Sequence, residues 1–319
     1  MKTQEKITEL QNILYNSLLP LITSDYIFLD LPYYSNLGDA LIWKGTLDFL
    51  KKTKYKCIWS TNFDTHLNKK ISKNHIILLQ GGGNFGDIWR KHQEFRMKVI
   101  EKYPHNKIII LPQTLYYENM QILKSDSIFF NKYPNVTICT RDKVSYELAK
   151  KYFTNNNILL LPDMAFCIKS ATLQYDIPLK HNLFIKRTDK EYNKSNSQHA
   201  IIPNDTTTSD WPLPYPSFEY KNLNRLERIM SKLEKYLNIS NIKNNLIDRY
   251  WQSIILPYHV KLAINFISPY NNIITTRLHG CILSILMNKN ITLLNNSYGK
   301  NYSFYETWLK DLDNIKYIG

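Results

Sequence analysis

Ile273-Ile-Thr-Thr-Arg-Leu-His-Gly-Cys281 is the stretch on which the reading of this chain turns. An apolar pair runs into two threonines, then Arg277, Leu278, His279 and Gly280. A helical apolar pattern follows at once through Cys281, Ile282, Leu283, Ile285 and Leu286. This predicts a strand, a short turn and a helix start. A guanidinium and an imidazole then stand at the carboxyl end of a strand, where parallel α/β sheets bind ligands. The pair suits an anionic substrate that also needs a proton moved. Read alone, the segment fits equally an arginine that caps locally and a histidine satisfied in the core.

The same unit recurs upstream. Apolar runs at residues 26–31, 55–59, 75–80, 107–111, 136–140 and 158–161 predict strands. Amphipathic patterns predict helices at 1–22, 40–51, 91–102 and from about 143 to 152. Polar and glycine residues gather after the strands, as in a doubly wound parallel sheet. A second unit begins near Leu183, with a strand at 182–185 that ends in Lys186-Arg-Thr-Asp189. A polar stretch at 190–218 contains Asp210-Trp-Pro-Leu-Pro214; loops of such length are usually functional or mobile. Helices at 222–237 and 245–267, the opening strand and helix, a strand at 290–294 and a helix at 302–310 complete the pattern. The expectation is an α/β chain of two Rossmann-like domains with parallel sheets. The first spans residues 1–175 and the second 176–319, with the last helix placed to pack back on the first. A length of 319 residues agrees with two cores rather than one.

Hydrophobic residues make up 44% and charged residues 21%, which places the chain among folded proteins rather than disordered ones. The net charge of +14 favours anionic partners: nucleic acid, an acidic membrane face, or substrates bearing phosphate and carboxylate. A coding bias toward Lys, Asn, Ile and Tyr explains part of that surplus. A nucleic-acid binder should interleave lysines with aromatics on one face. Here the lysines are scattered and arginines stand at strand ends, so no nucleic-acid partner is expected. Cys57, Cys139, Cys167 and Cys281 form no CxxC pair and read as reduced thiols rather than a zinc site. A charged N-terminus without a signal pattern, and no apolar run long enough to span a bilayer, give the expectation of a cytoplasmic protein that could lie at the inner face of the plasma membrane.

Three motifs carry chemistry. Gly81-Gly-Gly-Asn-Phe-Gly86 follows a strand; Gly82, Gly83 and Asn84 could bring backbone close to a ligand, or simply form a tight turn. Asn36-Leu-Gly-Asp39 follows the first strand; Asn36 and Asp39 could cap the next helix, or Asp39 could accept a sugar hydroxyl's hydrogen bond or proton. Arg141, Arg187 and Arg277 stand at predicted strand ends, where three planar forks beside one histidine point to an anion in the cleft.

With these motifs in order, the chain resembles the bacterial polysaccharide pyruvyltransferases. The resemblance rests on Asn36-Leu-Gly-Asp39, Gln80-Gly-Gly-Gly-Asn-Phe-Gly-Asp-Ile-Trp89 with His92-Gln93, Leu111-Pro-Gln-Thr114, Arg141-Asp142, Pro162-Asp163, Arg187-Thr-Asp189 and Thr276-Arg-Leu-His-Gly280. It implies a fold like that of GT-B glycosyltransferases and phosphoenolpyruvate as a co-substrate, with no cofactor and no metal. It implies a donor site at Arg277, Leu278 and His279, with Gly280 beside them and Arg187 as a further donor-binding arginine. The first domain would hold the acceptor glycan, with Asn36, Gly38, Gly82, Gly83, Asn84, Gln113 and Arg141 as candidates for the acceptor side of the cleft. The expected activity forms a pyruvate ketal on a sugar of a cell-surface polysaccharide precursor, carried on undecaprenyl diphosphate at the membrane. His279 is the candidate acid and Asp39 the candidate base. A GT-B glycosyltransferase with a nucleotide-sugar donor is the alternative, its Arg-Leu-His turn binding a diphosphate.

Overall fold

A computed structural model describes residues 1–63, 67, 69–173, 180–189, 202–213 and 247–319. The expected boundary at 175/176, the helix at 222–237 and most of the polar stretch lie outside these residues.

The first sheet is built from β1 (Tyr26–Leu31), β2 (Cys57–Asn62), β3 (Ile76–Leu79), β4 (Gly82–Gly86), β5 (Ile108–Tyr116), β6 (Val136–Thr140) and β7 (Asn157–Leu160). Its order is β2-β1-β3-β5-β6-β7, with β4 pairing the far end of β5. The second sheet holds β8 (Lys180–Ile185), β9 (Thr206–Ser209), β10 (Tyr270–Thr275), β11 (Asn290–Leu294) and β12 (Ile315–Ile318), in the order β12-β11-β10-β8-β9. Every strand pairing among the described residues is parallel. Helix α1 (Thr3–Leu18) precedes β1, and parallel neighbours need crossovers, which helices supply here: α2 (Leu37–Leu50), α3 (Arg90–Lys102), α4 (Met120–Phe130), α5 (Lys143–Tyr152), α6 (Leu256–Ile267), α7 (Leu278–Leu286) and the short α8 (Lys300–Phe304).

The strands are apolar on both faces because both faces are covered. In β1, Ile27 and Leu29 enter one core with Ile77 and Leu79 of β3, while Phe28 enters the opposite one with Leu78. The core on the Phe28 face is shared with the second sheet: it also contains Leu183, Ile185 and Ile273, with Leu10 of α1, Trp43 of α2 and Ile282 of α7. Helix α2 lies in this shared layer and is therefore buried almost all round, with Leu37, Ala40, Leu41, Ile42, Trp43, Phe49 and Leu50 inside.

Gly45 lets that layer close. A Cβ there would come within 2.0 Å of the Met164 carbonyl oxygen, which belongs to backbone and cannot rotate away. Gly45→Ala is expected to destabilise the fold by about 1–3 kcal/mol or more. Urea unfolding should show a lower midpoint at unchanged slope; an unshifted midpoint would contradict this packing.

The glycine block differs from its expected form. Residues 82–86 are a strand, not a loop: Gly82 pairs Gln113, Phe85 pairs Leu115 and Gly86 pairs Tyr116. Strand β5 accordingly runs on through Pro112-Gln-Thr to Tyr116, beyond the expected end at residue 111. Gly82 and Gly86 take φ of 145° and 136°, which side-chain-bearing residues rarely adopt. A Cβ on Gly86 would collide with the Tyr116 carbonyl at 1.8 Å. The glycines thus let a second strand lie tight along β5.

Candidate active site

The carboxyl ends of β1, β6, β8 and β10 open onto one cleft of about 700 Å³. Its lining brings together Asn36, Gly38, Asp39, Gly83, Asn84, Arg141, Arg187, Arg277, Leu278 and His279 from the sequence-predicted set.

The turn after β10 is built by Thr275, whose hydroxyl accepts from Arg277 N at 3.0 Å and donates to Arg277 O at 3.2 Å. Arg277 is the residue before α7 and has extended backbone. Its guanidinium is held by Asp210 through Nε and Nη2, and Nη2 also reaches Asp189 Oδ2 at 3.3 Å. Burial would lift the Asp210 carboxyl, but the Arg277 fork outweighs it and holds the acid below the ordinary carboxylate range. Arg187 Nε lies 2.7 Å from Asp189 Oδ1. Arg187 N donates to the Thr276 hydroxyl at 2.9 Å, which ties the ends of β8 and β10 together. Asp189 and Asp210 thus fix the planes of two arginines that face the cleft.

His279 stands in the first turn of α7. Its Nε2 is 3.3 Å from Asp163 Oδ2, and the same oxygen accepts from Arg141 Nη1 at 2.6 Å. Arg141 also donates from Nε to Thr114 at 2.9 Å and is 1% exposed. Burial would lift the Asp163 carboxyl; His279 and Arg141 outweigh it and hold the acid well below the usual range. A carboxylate behind an imidazole fixes ring orientation and tautomer. With Nε2 turned to Asp163, Nδ1 is the nitrogen beside Gly38, where a Cβ would come within 2.7 Å. Gly38 is therefore the gap through which α2 and α7 approach each other.

Asn36 is a helix cap. Its side chain accepts from Gly38 N at 2.9 Å and Asp39 N at 3.4 Å, the local reading of that motif. Asp39 faces the cleft and accepts from the Tyr34 hydroxyl at 3.0 Å. Asn84 lines the cleft on a buried base: Arg96 donates to its backbone oxygen at 3.0 Å and to Asp30 at 3.0 Å, while His92 Nδ1 lies 2.7 Å from Asp30.

Three of the expected residues do not line the cleft. Gly280 packs inward, where a Cβ would meet the Thr275 hydroxyl at 2.7 Å; its role is to let the turn close. Gln113 is fully buried, donates to Gln80 O at 2.8 Å and accepts from Asn84 N at 3.3 Å, so it holds β4 in place. Gly82 serves the same strand through its backbone conformation.

Several residues in or behind the cleft were not among the sequence-predicted site residues. Asp210, which stands behind Arg277, belonged to a polar stretch expected to be functional or mobile, and its role needs the β8–β9 pairing that brings it to Arg277. Lys300, 8% exposed, reaches the cleft from α8. Phe63, Ile88, Trp89 and Trp211 add an apolar wall. Among the described residues, no three His, Cys, Asp or Glu side chains gather as a metal site, and no helix is long and apolar enough to cross a membrane.

This fold and cleft define a parallel α/β protein suited to a small polyanion held beside a histidine. The chain belongs to the polysaccharide pyruvyl transferase family, whose model matches residues 36–298. It is 37% identical over 298 residues to EpsO of Bacillus subtilis (strain 168), a pyruvyl transferase by its name alone, covering 92% of this chain and 88% of that protein. Pyruvyl transferase 1 of Schizosaccharomyces pombe (strain 972 / ATCC 24843) is 27% identical over 300 residues, 87% of this chain and 68% of its own. A crystal structure of a functionally uncharacterised protein from Klebsiella pneumoniae subsp. pneumoniae NTUH-K2044 shares the fold, with a TM-score of 0.66 at 19% identity, over 97% of this chain and 98% of that one.

Proposed function

We propose that this transferase moves the enolpyruvyl group of phosphoenolpyruvate onto a sugar of a cell-surface polysaccharide precursor and closes it there as a cyclic pyruvate ketal. One observation carries this reading: Arg141, Arg187 and Arg277 converge with His279 on a single cleft. Phosphoenolpyruvate presents a carboxylate and a phosphate, and the forks of arginine match both. Asp189, Asp210 and Asp163 hold those forks and the imidazole in advance, so little reorganisation is left for the reaction.

In this scheme C3 of the enol takes a proton and C2 becomes oxocarbenium-like. A sugar hydroxyl adds to C2, phosphate departs, and a second hydroxyl of the same sugar closes the ring. Two hydroxyl protons are released; one balances the proton gained by C3 and the other leaves with phosphate. His279 is the acid, with Nδ1 as the nitrogen that faces substrate. Asp39, which follows the Gly38 that packs against His279, is the base for the hydroxyl, and its carboxylate accepts from the Tyr34 hydroxyl. The apolar wall of Trp89, Phe63 and Trp211 suits the faces of sugar rings. A lipid-linked acceptor, on undecaprenyl diphosphate, at the cytoplasmic face of the membrane fits the net charge of +14. The two sheets would then act as the halves of a GT-B-like pair, residues 1–175 taking the acceptor and 176–319 the donor.

Thermal shift against phosphoenolpyruvate and a panel of nucleotide sugars separates this from a glycosyltransferase. Phosphoenolpyruvate at about 100 times its Kd should stabilise the protein by about 2.7 kcal/mol. Stabilisation by a nucleotide sugar, with no response to phosphoenolpyruvate, would replace the proposal with the glycosyltransferase reading.

A further inference from the structure

The chain between β1 and α2, Pro32-Tyr-Tyr-Ser-Asn36, carries two tyrosines with different partners. Tyr34 lines the cleft and donates to Asp39 Oδ2 at 3.0 Å. Burial, and after it the Asp39 carboxylate, holds the Tyr34 hydroxyl well above its ordinary value, so it stays a donor. The Tyr33 hydroxyl donates instead to Asp248 Oδ1. Asp248 is 8% exposed, and its other oxygen accepts from Ser60 of β2 at 2.8 Å. Neither Tyr33 nor Asp248 is among the described residues that line the cleft.

The Tyr33 ring is held as well. It stacks on Trp251 with ring centres 5.0 Å apart and planes 4° from parallel, and it lies against Trp43 of α2 at 5.6 Å. Both tryptophans are 2% exposed. Asp248 and Trp251 stand just before α6, which leads through β10 to Arg277. The loop itself is drawn into turns, with Tyr33 N donating to Leu31 O and Asn36 N to Tyr34 O, each at 3.0 Å. One peptide bond separates the clamped Tyr33 from Tyr34, so a shift at the first moves the second. A shift of about 1 Å in a positioned group can cost about 100-fold in rate.

We propose that Asp248 is a positioning residue: through the Tyr33 hydroxyl it sets the loop of residues 32–36 and so aims the Tyr34–Asp39 pair at the acceptor hydroxyl. This rests on the function proposed above, with Asp39 as the base. Asp248 acts on the reaction only through that loop. The clamp ties the loop that serves the acceptor to the segment that leads into the donor-side sheet, so the base and Arg277 are held in one frame. Stacking alone lets the ring slide along its tryptophan; the hydroxyl bond fixes where it stops. A bond to a carboxylate does this better than a neutral one, because it is shorter and stronger.

The test uses the full chain with phosphoenolpyruvate and an aryl glycoside. Tyr33→Phe keeps the ring and removes the bond to Asp248. It should lower kcat by about 10- to 100-fold, while phosphoenolpyruvate affinity, measured by titration calorimetry, changes by less than about twofold. Asp248→Ala should match it. Asp248→Asn still offers an oxygen to the hydroxyl and should recover most of the rate. The double variant of Tyr33→Phe and Asp248→Ala should be no slower than the worse single one, since the same bond is lost only once. Ser60→Ala removes the other bond to that carboxylate, leaves the loop its own, and should cost less than about threefold in kcat. A folded Tyr33→Phe protein with wild-type kcat overturns the clamp, whatever Asp248→Ala does to folding, and leaves the proposed function standing. Equal rate losses in Tyr33→Phe and Ser60→Ala, or donor affinity falling in step with kcat, overturn it too, since a general loosening of the fold gives that result. A wild-type protein that binds no phosphoenolpyruvate, or leaves the glycoside unchanged, overturns the proposed function and this assignment with it.

Discussion

Replacing His279 by Ala is expected to lower the rate of phosphate release from phosphoenolpyruvate, with acceptor present, by about 10²- to 10⁴-fold. The arginines would remain, so donor affinity should change by only a few-fold. The imidazole is held from behind by Asp163, 3.3 Å from Nε2, which fixes the ring. On the proposed mechanism its removal takes away the proton carrier and little of the charge that would bind the donor. Arg277→Ala should do the reverse in emphasis. It removes one of the forks proposed to hold the donor and leaves Asp210, a mostly buried carboxylate, without its chief cation. Affinity should fall by about 10- to 100-fold, with a further loss in rate from misplacement. Steady-state kinetics of both variants separate kcat from KM. Full activity in both would remove this turn from the chemistry.

Asp163→Ala is expected to cost about 3–5 kcal/mol of folding stability, because it leaves the Arg141 charge buried without its carboxylate. Both side chains of the pair are 1% exposed, so water screens neither. The pH dependence follows from the direction of the shift. Asp163 is held well below the ordinary carboxylate range, against an unfolded value of about 3.9. Its contribution is therefore complete above about pH 5 and is lost as pH falls below about 4 toward the folded value, where the native carboxyl at last takes its proton. Asp163→Asn keeps the shape and removes the titration, so its stability profile should be flatter on the acid limb than that of the wild type. Chemical denaturation from pH 7 to pH 3 measures both effects. Parallel acid limbs would show that the carboxylate is not coupled to folding. The same variant should lose activity at neutral pH, since Arg141 and His279 share the oxygen that is changed.

Much of this architecture is visible in local pattern. The strands at 136–140 and 290–294 are unbroken apolar or alternating runs bounded by polar turns, and they stand where the pattern puts them. Arg141, Arg187 and Arg277 were legible because each sits one or two residues past a strand, with His279 two residues after Arg277 at the start of the next helix, and parallel topology then sends them all to one end. What pattern could not show depends on partners far along the chain. Asn36 and Gln113 are polar residues in motif positions, yet one caps a helix and the other holds a neighbouring strand. Gly280 stands beside His279 in sequence but points into the packed turn, because successive helical residues face different sides. Asp210 meets Arg277 across 67 positions, a contact that exists only once β9 lies against β8. Lys300 is one lysine in a chain with 41 basic residues, and only its place in the cleft lining sets it apart. Strand β4 escaped because a run of glycines carries no apolar period; its pairing with β5 is made by backbone alone.

The most direct test is mass spectrometry of an acceptor glycoside after incubation with phosphoenolpyruvate. Aryl and lipid-linked glycosides serve as acceptors, and inorganic phosphate is followed in the same reaction. The account predicts an acceptor heavier by one pyruvate less one water, released from phosphoenolpyruvate in step with phosphate and absent with the His279→Ala protein. Phosphate release with no change in acceptor mass, or a hexose gained from a nucleotide sugar, would contradict it.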